Sequence, residues 1–429
     1  VLSKIRGGKT IMKRFLALLL TLVMVFSLAA CSGGSSTGSD TATTAGDTTQ
    51  AATEEWAQGI TDTEIVVGNS AATSGAYAPV GVPFNAGIEA YFKKVNEEGG
   101  IQGRSIVFKH IDDEFDPVKG KAALSSLVED EKVFAIVGHF GTPVVAATIE
   151  DLKSYGIPAV YFATGIGQLY NENATGSDRN LFPVQPIYKT EGKIMVARAV
   201  GDFGAQKIGV IYTNDDAGKD LLWGAEAMAE TLGVELVEQQ VAAGATDVSS
   251  AVTAIKDANV DFVIGAAIQA TFPTIVKELA AQNVNKDVIT TYVNVSPVIA
   301  QGVVNEINGK FDVYGNGWVS FEGERAAALA EYQKYAVGYE TNVYAMTGWI
   351  AGYFFVEGLK RVDGVITWDK YMDALESAPI TNPFGGVIDY ANGLRAGTQE
   401  MNLSQINPDN LDGEWLEVKP LQSIDSILE

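Results

Sequence analysis

The chain has 429 residues, with 53 acidic against 30 basic side chains, a formal charge of −23, two His and one Cys. That length allows two or three domains and a large core, and 47% hydrophobic with 19% charged residues marks a globular chain rather than a disordered one. The acidic balance argues against nucleic acid, a single Cys rules out a disulfide scaffold or multi-cysteine metal site, and His110 and His139 alone leave little for a His-rich metal site or a Ser-His-Asp triad.

Met12-Lys13-Arg14 precedes residues 15–30, sixteen positions at which Thr21 and Ser27 are the polar ones. A basic start, an apolar run and a small-residue end predict a signal peptide over 1–30. At ~1.5 Å per residue the run is about 24 Å long, short of the ~30 Å hydrocarbon core, so it reads as an address and not a span. Leu28-Ala29-Ala30-Cys31 resembles the lipobox of bacterial lipoproteins, which implies a diacylglycerol on Cys31 and a lipid anchor. Residues 32–53 are almost entirely Ser, Thr, Gly, Ala and Asp, and a flexible linker is expected over 31–59. Such a tether suits the extracellular face of the cytoplasmic membrane in a Gram-positive-type envelope.

Beyond it, strands and helices alternate. Residues 64–68 form an apolar run ending in Gly, a buried strand. Phe84, Ile88, Tyr91 and Val95 recur at helical spacing over 83–98, with Pro83 fitting a first turn and Gly99-Gly100 a stop. A strand at 105–111, a helix opened by Asp116-Pro117, a strand at 134–138, a helix at 145–155 and a strand at 157–162 follow. A second series runs from a helix at 190–203 through strands at 207–212, 234–241, 262–265 and 288–292, with helices at 220–232, 248–258 and 272–281. Alternation of this kind predicts parallel sheets covered by helices. Asp116…Phe134-Ala-Ile-Val-Gly138 echoes Asp247…Phe262-Val-Ile-Gly265, as a duplicated lobe would. Residues 343–359 are apolar nearly all round and read as an interior helix rather than a membrane span. Short strands are expected near 415–418.

No Gly-x-Ser-x-Gly elbow, phosphate loop or His-Glu-x-x-His motif occurs, and Gly165-Ile-Gly167 lacks the third Gly of a dinucleotide fingerprint. No cofactor and no catalytic residue is therefore expected. His139 reads as a structural histidine in a loop, and Asp112, Asp113, Glu114 and Asp116 as a solvated loop without calcium-loop spacing. The strand ends at 69–75, 139–142, 163–167, 213–218 and 294–296 are rich in Gly and small polar residues. On two lobes together, they point to a binding cleft into which backbone N–H groups and helix N-termini face.

Val66-Val-Gly68, Ser74-Gly75, Phe84-Asn85-Ala-Gly87, Gly99-Gly100-Ile-Gln-Gly103, Asp112-Asp113, Asp116-Pro117, Ile136-Val-Gly138-His139 and Gly156-Ile157-Pro158 occur in an order similar to the start of the leucine/isoleucine/valine-binding proteins. These are type I periplasmic binding proteins, the solute receptors of ABC importers. The resemblance spans about residue 60 to the end. It implies an α/β fold of two Rossmann-like lobes with parallel sheets, joined by a three-crossover hinge near 182–185, 314–318 and 384–387. Lobe 1 would take 60–183 and 317–385, and lobe 2 184–316 and 386–429. It also implies capture of a small solute, a branched-chain amino acid or related amide or carboxylate, by hinge closure, and delivery by a monomer to ABC permease subunits. A sensing receptor of the same fold and a secreted α/β enzyme are the alternatives. By position, Thr142, Ala163 and Thr164, with Gly165 as an alternative, would hold the ligand's carboxylate and ammonium. Val80 aligns with the shielding aromatic, Tyr77 being the nearest one. Asn294 stands where relatives carry the Glu that pairs with the ammonium, and Asp215 is its candidate substitute. Phe140 and Gln269 complete the candidate ligand-binding set.

Overall fold

The computed structural model describes residues 55–269, 271–320 and 325–429. The expected signal peptide, Cys31 and nearly all of the expected linker lie outside the described residues. In the first half, β1 (Glu64–Ala71), α1 (Ala78–Glu97), β2 (Ser105–Asp112), α2 (Pro117–Ser125), β3 (Ala135–Phe140), α3 (Thr142–Tyr155), β4 (Ala159–Ala163) and β5 (Leu181–Phe182) build a five-stranded sheet in the order β2-β1-β3-β4-β5. Every pairing in it is parallel. Then come α4 (Tyr188–Gly201), β6 (Lys207–Thr213), α5 (Asp216–Leu232), β7 (Glu235–Val241), α6 (Ser249–Ala258), β8 (Phe262–Ala266), α7 (Thr271–Ala281), β9 (Val288–Thr290), α8 (Pro297–Ile307) and β10 (Val313–Gly317). Their strands lie in the order β7-β6-β8-β9-β10, so the second lobe repeats the plan of the first.

The last part of the chain serves both lobes. Helices α9 (Ala326–Tyr335), α10 (Val343–Lys360) and α11 (Trp368–Glu376), with the hairpin of β11 (Ile380–Thr381) and β12 (Val387–Ile388), share a core with the first sheet. Strands β13 (Met401–Ile406) and β14 (Trp415–Gln422) extend the second sheet antiparallel beyond β10, and α12 (Ile424–Leu428) ends the chain. The second sheet is thus mixed, where parallel sheets were expected. The chain crosses between lobes three times. Beyond β12 the chain still contacts first-lobe residues at Arg395: its buried guanidinium lies 4.2 Å from the Phe182 ring, pairs with Glu376 and donates to the Arg179 carbonyl. An ordinary-looking loop is thereby fastened to the first lobe.

Helix α1 opens at Ala78, earlier than Pro83 suggested, with Pro79 in its first turn and Pro83 inside it. Pro79 costs nothing in the first turn, whereas Pro83 forfeits the bond to the Pro79 carbonyl and crowds it. Asp116 caps α2 as expected, accepting from the Val118 and Lys119 N–H groups at 2.8 and 3.0 Å. Asp116→Ala should cost about 1 kcal/mol in urea unfolding. Helix α10 is buried almost all round, and no helix among the described residues is long and apolar enough to cross a membrane. It packs on α1 nearly backbone to backbone: a methyl at Gly87 would lie 1.7 Å from the Ala345 carbonyl oxygen, and one at Gly348 1.9 Å from that of Phe84. The outer strands of the two sheets are β2, β5, β7 and β14.

Candidate ligand-binding cleft

The parallel strands of both sheets aim their carboxyl ends at one space, a cleft of about 620 Å³ between the lobes. Such strand ends are where ligands sit in open α/β sheets. The first-lobe wall is aromatic. Tyr77 stacks on Phe115 with centroids 3.7 Å apart, and Phe115 meets Phe140 edge-on at 6.2 Å. Phe140 leads to Phe84 at 5.8 Å, Phe84 to Tyr161 at 5.7 Å, and Tyr161 to Trp318 at 6.3 Å. Trp318 opens the second crossing, directly after β10.

Phe115 owes its aim to Asp113. Burial of Asp113 is complete, and its carboxylate accepts from the Ser70 hydroxyl and, at 2.8 Å, from the Phe115 N–H. The turn this holds places Glu114 and Phe115 at φ 54° and 65°, the left-handed region. The acidic cluster is therefore not simply a solvated loop. Gly141 leaves room for the ring: a methyl there would lie 2.6 Å from Phe115 Cε2, and its φ of 93° suits glycine alone.

At the floor, three hydroxyls converge. Thr142 is the first residue of α3, and its Oγ1 lies 2.8 Å from Thr164 Oγ1. The Tyr188 hydroxyl joins both, and burial raises its phenol above the usual range. Thr142, Ala163 and Phe140 line the cleft, as does Tyr77, whose phenol is raised by burial and then by the negative Asp215. Val80 lines it too. Thr164 stands behind Thr142. Gly165 is further back, its carbonyl accepting the Tyr188 N–H at 2.6 Å.

The second-lobe candidates divide. Gln269 lines the cleft at φ 52°, its N–H donating to Asn294 Oδ1 at 2.8 Å. Asn294 is fully buried, and its amide donates to the Ala267 carbonyl and to Thr290 Oγ1, each at 2.8 Å. Its polar atoms are thus engaged inside the lobe, and it acts on the cleft through Gln269. Asp215 caps α5, accepting from the Gly218 N–H at 2.9 Å and the Thr213 hydroxyl at 2.8 Å, and is not part of the lining. His139 lies in β3 rather than a loop. It pairs with Thr148 Oγ1 at 2.8 Å, and burial holds its imidazole down at about 4, so it is neutral.

Residue types alone missed Phe115, Gln185, Tyr188, Trp318 and Trp415, all of which line the cleft. Gln185 bridges the lobes, accepting from the Tyr161 hydroxyl at 2.6 Å and donating to that of Tyr292 at 2.8 Å. Asp220 of α5 does the same at the rim, accepting the Gly167 N–H at 2.6 Å. A signal was present for Gln185 and Tyr188: both follow β5, where the first crossing was expected.

The chain is similar to an amino acid binding protein of Pseudomonas aeruginosa, 26% identical over 201 residues that cover 47% of this chain and 53% of that one. It is 23% identical over 256 residues to Leu/Ile/Val-binding protein homolog 2 of Brucella abortus, covering 59% and 67%. It thus spans about half to two thirds of the length of these curated relatives. Its fold is shared with a fatty acid ABC transporter substrate-binding protein from Thermomonospora curvata, with a TM-score of 0.72 and 20% identity over 86% of this chain and 95% of that one. It is shared likewise with a branched chain amino acid ABC transporter structure from Thermus thermophilus with bound valine, at 0.71 and 15% over 84% and 96%. With the model of the periplasmic binding protein family matching residues 64–412, most of the sequence, the chain belongs to that family and carries its type I fold.

Proposed function

We propose that this protein is the solute receptor of an ABC importer, held at the extracellular face of the cytoplasmic membrane by a lipid on Cys31. It works as a monomer and delivers a small solute to the permease. The solute belongs with the branched-chain amino acids and related amides and carboxylates, and it is bound without chemical change. The observation that carries this reading is the aromatic cleft between two lobes, with the Thr142, Thr164 and Tyr188 hydroxyls at the N-terminus of α3. A carboxylate or amide oxygen set there meets hydroxyl donors and the positive end of a 14-residue helix. The apolar body of the solute lies on the aromatic wall. Closure of the lobes then adds the second-lobe contacts, and the solute favours the closed form by its extra affinity for it.

A thermal-shift screen of amino acids, amides and small carboxylates tests this. At least one should raise the melting temperature in a concentration-dependent way. Thr142→Val should weaken that ligand roughly 10- to 100-fold, the loss of one hydrogen bond to a charged group, while the ligand-free protein still unfolds cooperatively, lower in melting temperature by no more than the loss of the Thr164 contact explains. A screen in which nothing binds, or a valine variant that binds as the parent does, would defeat the reading.

A further inference from the structure

We infer that the solute is an apolar monocarboxylate that carries no amino group; this rests on the receptor reading above and narrows it. The geometry of an α-amino acid puts its ammonium one carbon from its carboxylate. With the carboxylate at Thr142, the ammonium must lie among the residues next to that hydroxyl. Those in the lining are Phe140, Gly141, Ala163 and Tyr188, and none is an anion. Asn294 and Asp215 sit outside the lining; the Asn294 oxygen accepts from Gln269, and Asp215 uses Oδ1 to cap α5. Lys, Arg, His and Asp are absent from the cleft lining among the described residues; the charged members are Glu414 and Glu417. Glu414 is held by Asn407 and Asn410, and Glu417 by Asn402 and Ser320, in or near the β13–β14 hairpin rather than beside Thr142. A buried cation with no counter-charge is strongly disfavoured.

The fixed field of the backbone has the opposite preference. Helices α3, α4, α8 and α10 each present their first residue to the cleft, namely Thr142, Tyr188, Pro297 and Val343, and no α-helix among the described residues presents its last. Each N-terminus acts as roughly half a positive charge. A single carboxylate is therefore welcome with no Lys or Arg, and an ammonium is repelled. The rest of the first-lobe wall is mostly aromatic and aliphatic, with Tyr77, Phe115, Phe140 and Val80 among its members, which sets an aryl or branched alkyl body behind the acid.

Leucine and 4-methylpentanoate differ only by the amino group, and titration calorimetry of the purified protein with each is the test. The carboxylate should bind at least tenfold more tightly than leucine. Gln269→Glu, which sets an anion in the cleft, should shift the ratio back toward leucine at least tenfold. Leucine binding as tightly as its deaminated analogue overturns the inference, as does binding of choline in preference to either. If both fail but another amino acid or an amide from the thermal-shift screen binds, this inference falls while the receptor reading stands. If no solute of any class binds, both fall. Should Gln269→Glu not fold, the wild-type pair decides the matter.

Discussion

Gly348→Val should leave little folded protein at 25 °C, or a protein whose melting temperature is lower by well over ten degrees. Helix α10 runs through the first-lobe core against α1, and the two meet at Gly348 and Gly87. A single added carbon at Gly348 would lie 1.9 Å from the Phe84 carbonyl oxygen, an atom no rotamer change can move. Ordinary overpacking costs ~1–3 kcal/mol because side chains yield; here two backbones must separate, so more than about 4 kcal/mol is expected. Gly302→Ala is the matched control. It sits in α8 with nothing within 4 Å of an added methyl, and should stabilise by roughly 0.5–1 kcal/mol. Thermal unfolding of the pair gives the answer. A valine variant melting within a few degrees of the parent would mean that the helices can part, and that the close approach is not what holds them.

Glu191→Gln should abolish a pH dependence of stability that the parent shows between about pH 5 and 9. Glu191 lies in the first turn of α4 with no exposed surface. Its carboxyl accepts from Thr291 Oγ1 at 2.7 Å and from the Tyr292 N–H at 2.8 Å. Burial pushes it up to about 8, and the hydrogen bonds from Thr291 and Tyr292 offset that only in part. The nearby titratable groups are Tyr188 and Tyr292, both themselves raised by burial and so neutral throughout this range. The folded state thus keeps a proton that the unfolded chain gives up near 4.5. Folding binds a proton in this window, so the stabilisation is fully present below about 4.5 and is lost as pH rises through about 8. Glutamine has nothing to release. The gap between variant and parent should widen by on the order of 4 kcal/mol from pH 5 to 9, as read by urea unfolding. Two curves that run parallel across the range would show that the site is not titrating.

Much of the architecture is legible in the residues because burial on both faces of a parallel sheet leaves a strong mark. Phe134-Ala-Ile-Val-Gly138 and Phe262-Val-Ile-Gly265 are apolar runs between helical spacings, and both are central strands. What escapes is short or polar. Strand β10 reads Val-Tyr-Gly-Asn-Gly, too poor in β-branched residues to announce itself, yet it sets both the end of the second parallel run and the position of Trp318. Helix α8 carries the start signal Ser296-Pro297, yet it is not among the expected elements. In the cleft, order along the chain locates Thr142 and Tyr77, since each sits at a strand end or helix start. It does not give direction. Asn294 lies at the right place in the chain with its amide turned into the lobe, and only its three hydrogen bonds reveal that. Phe115 depends on a carboxylate buried beneath it, and no local pattern in Asp112-Asp113-Glu114 says which of the acids goes inside.

The outer strands have a bearing on how many such molecules can share a small volume. Strand β2 carries Lys109 and Asp112, β7 carries Glu235 and Glu238, and β14 carries Glu417, Lys419 and Pro420. The remaining one, β5, is two residues long and is followed at once by Pro183. Charge on three of these edges and the shortness of the fourth discourage a neighbour from zipping onto them. Collisions between copies bring charged rims of a polyanion together, so crowding ends in repulsion and not in a growing intermolecular ribbon.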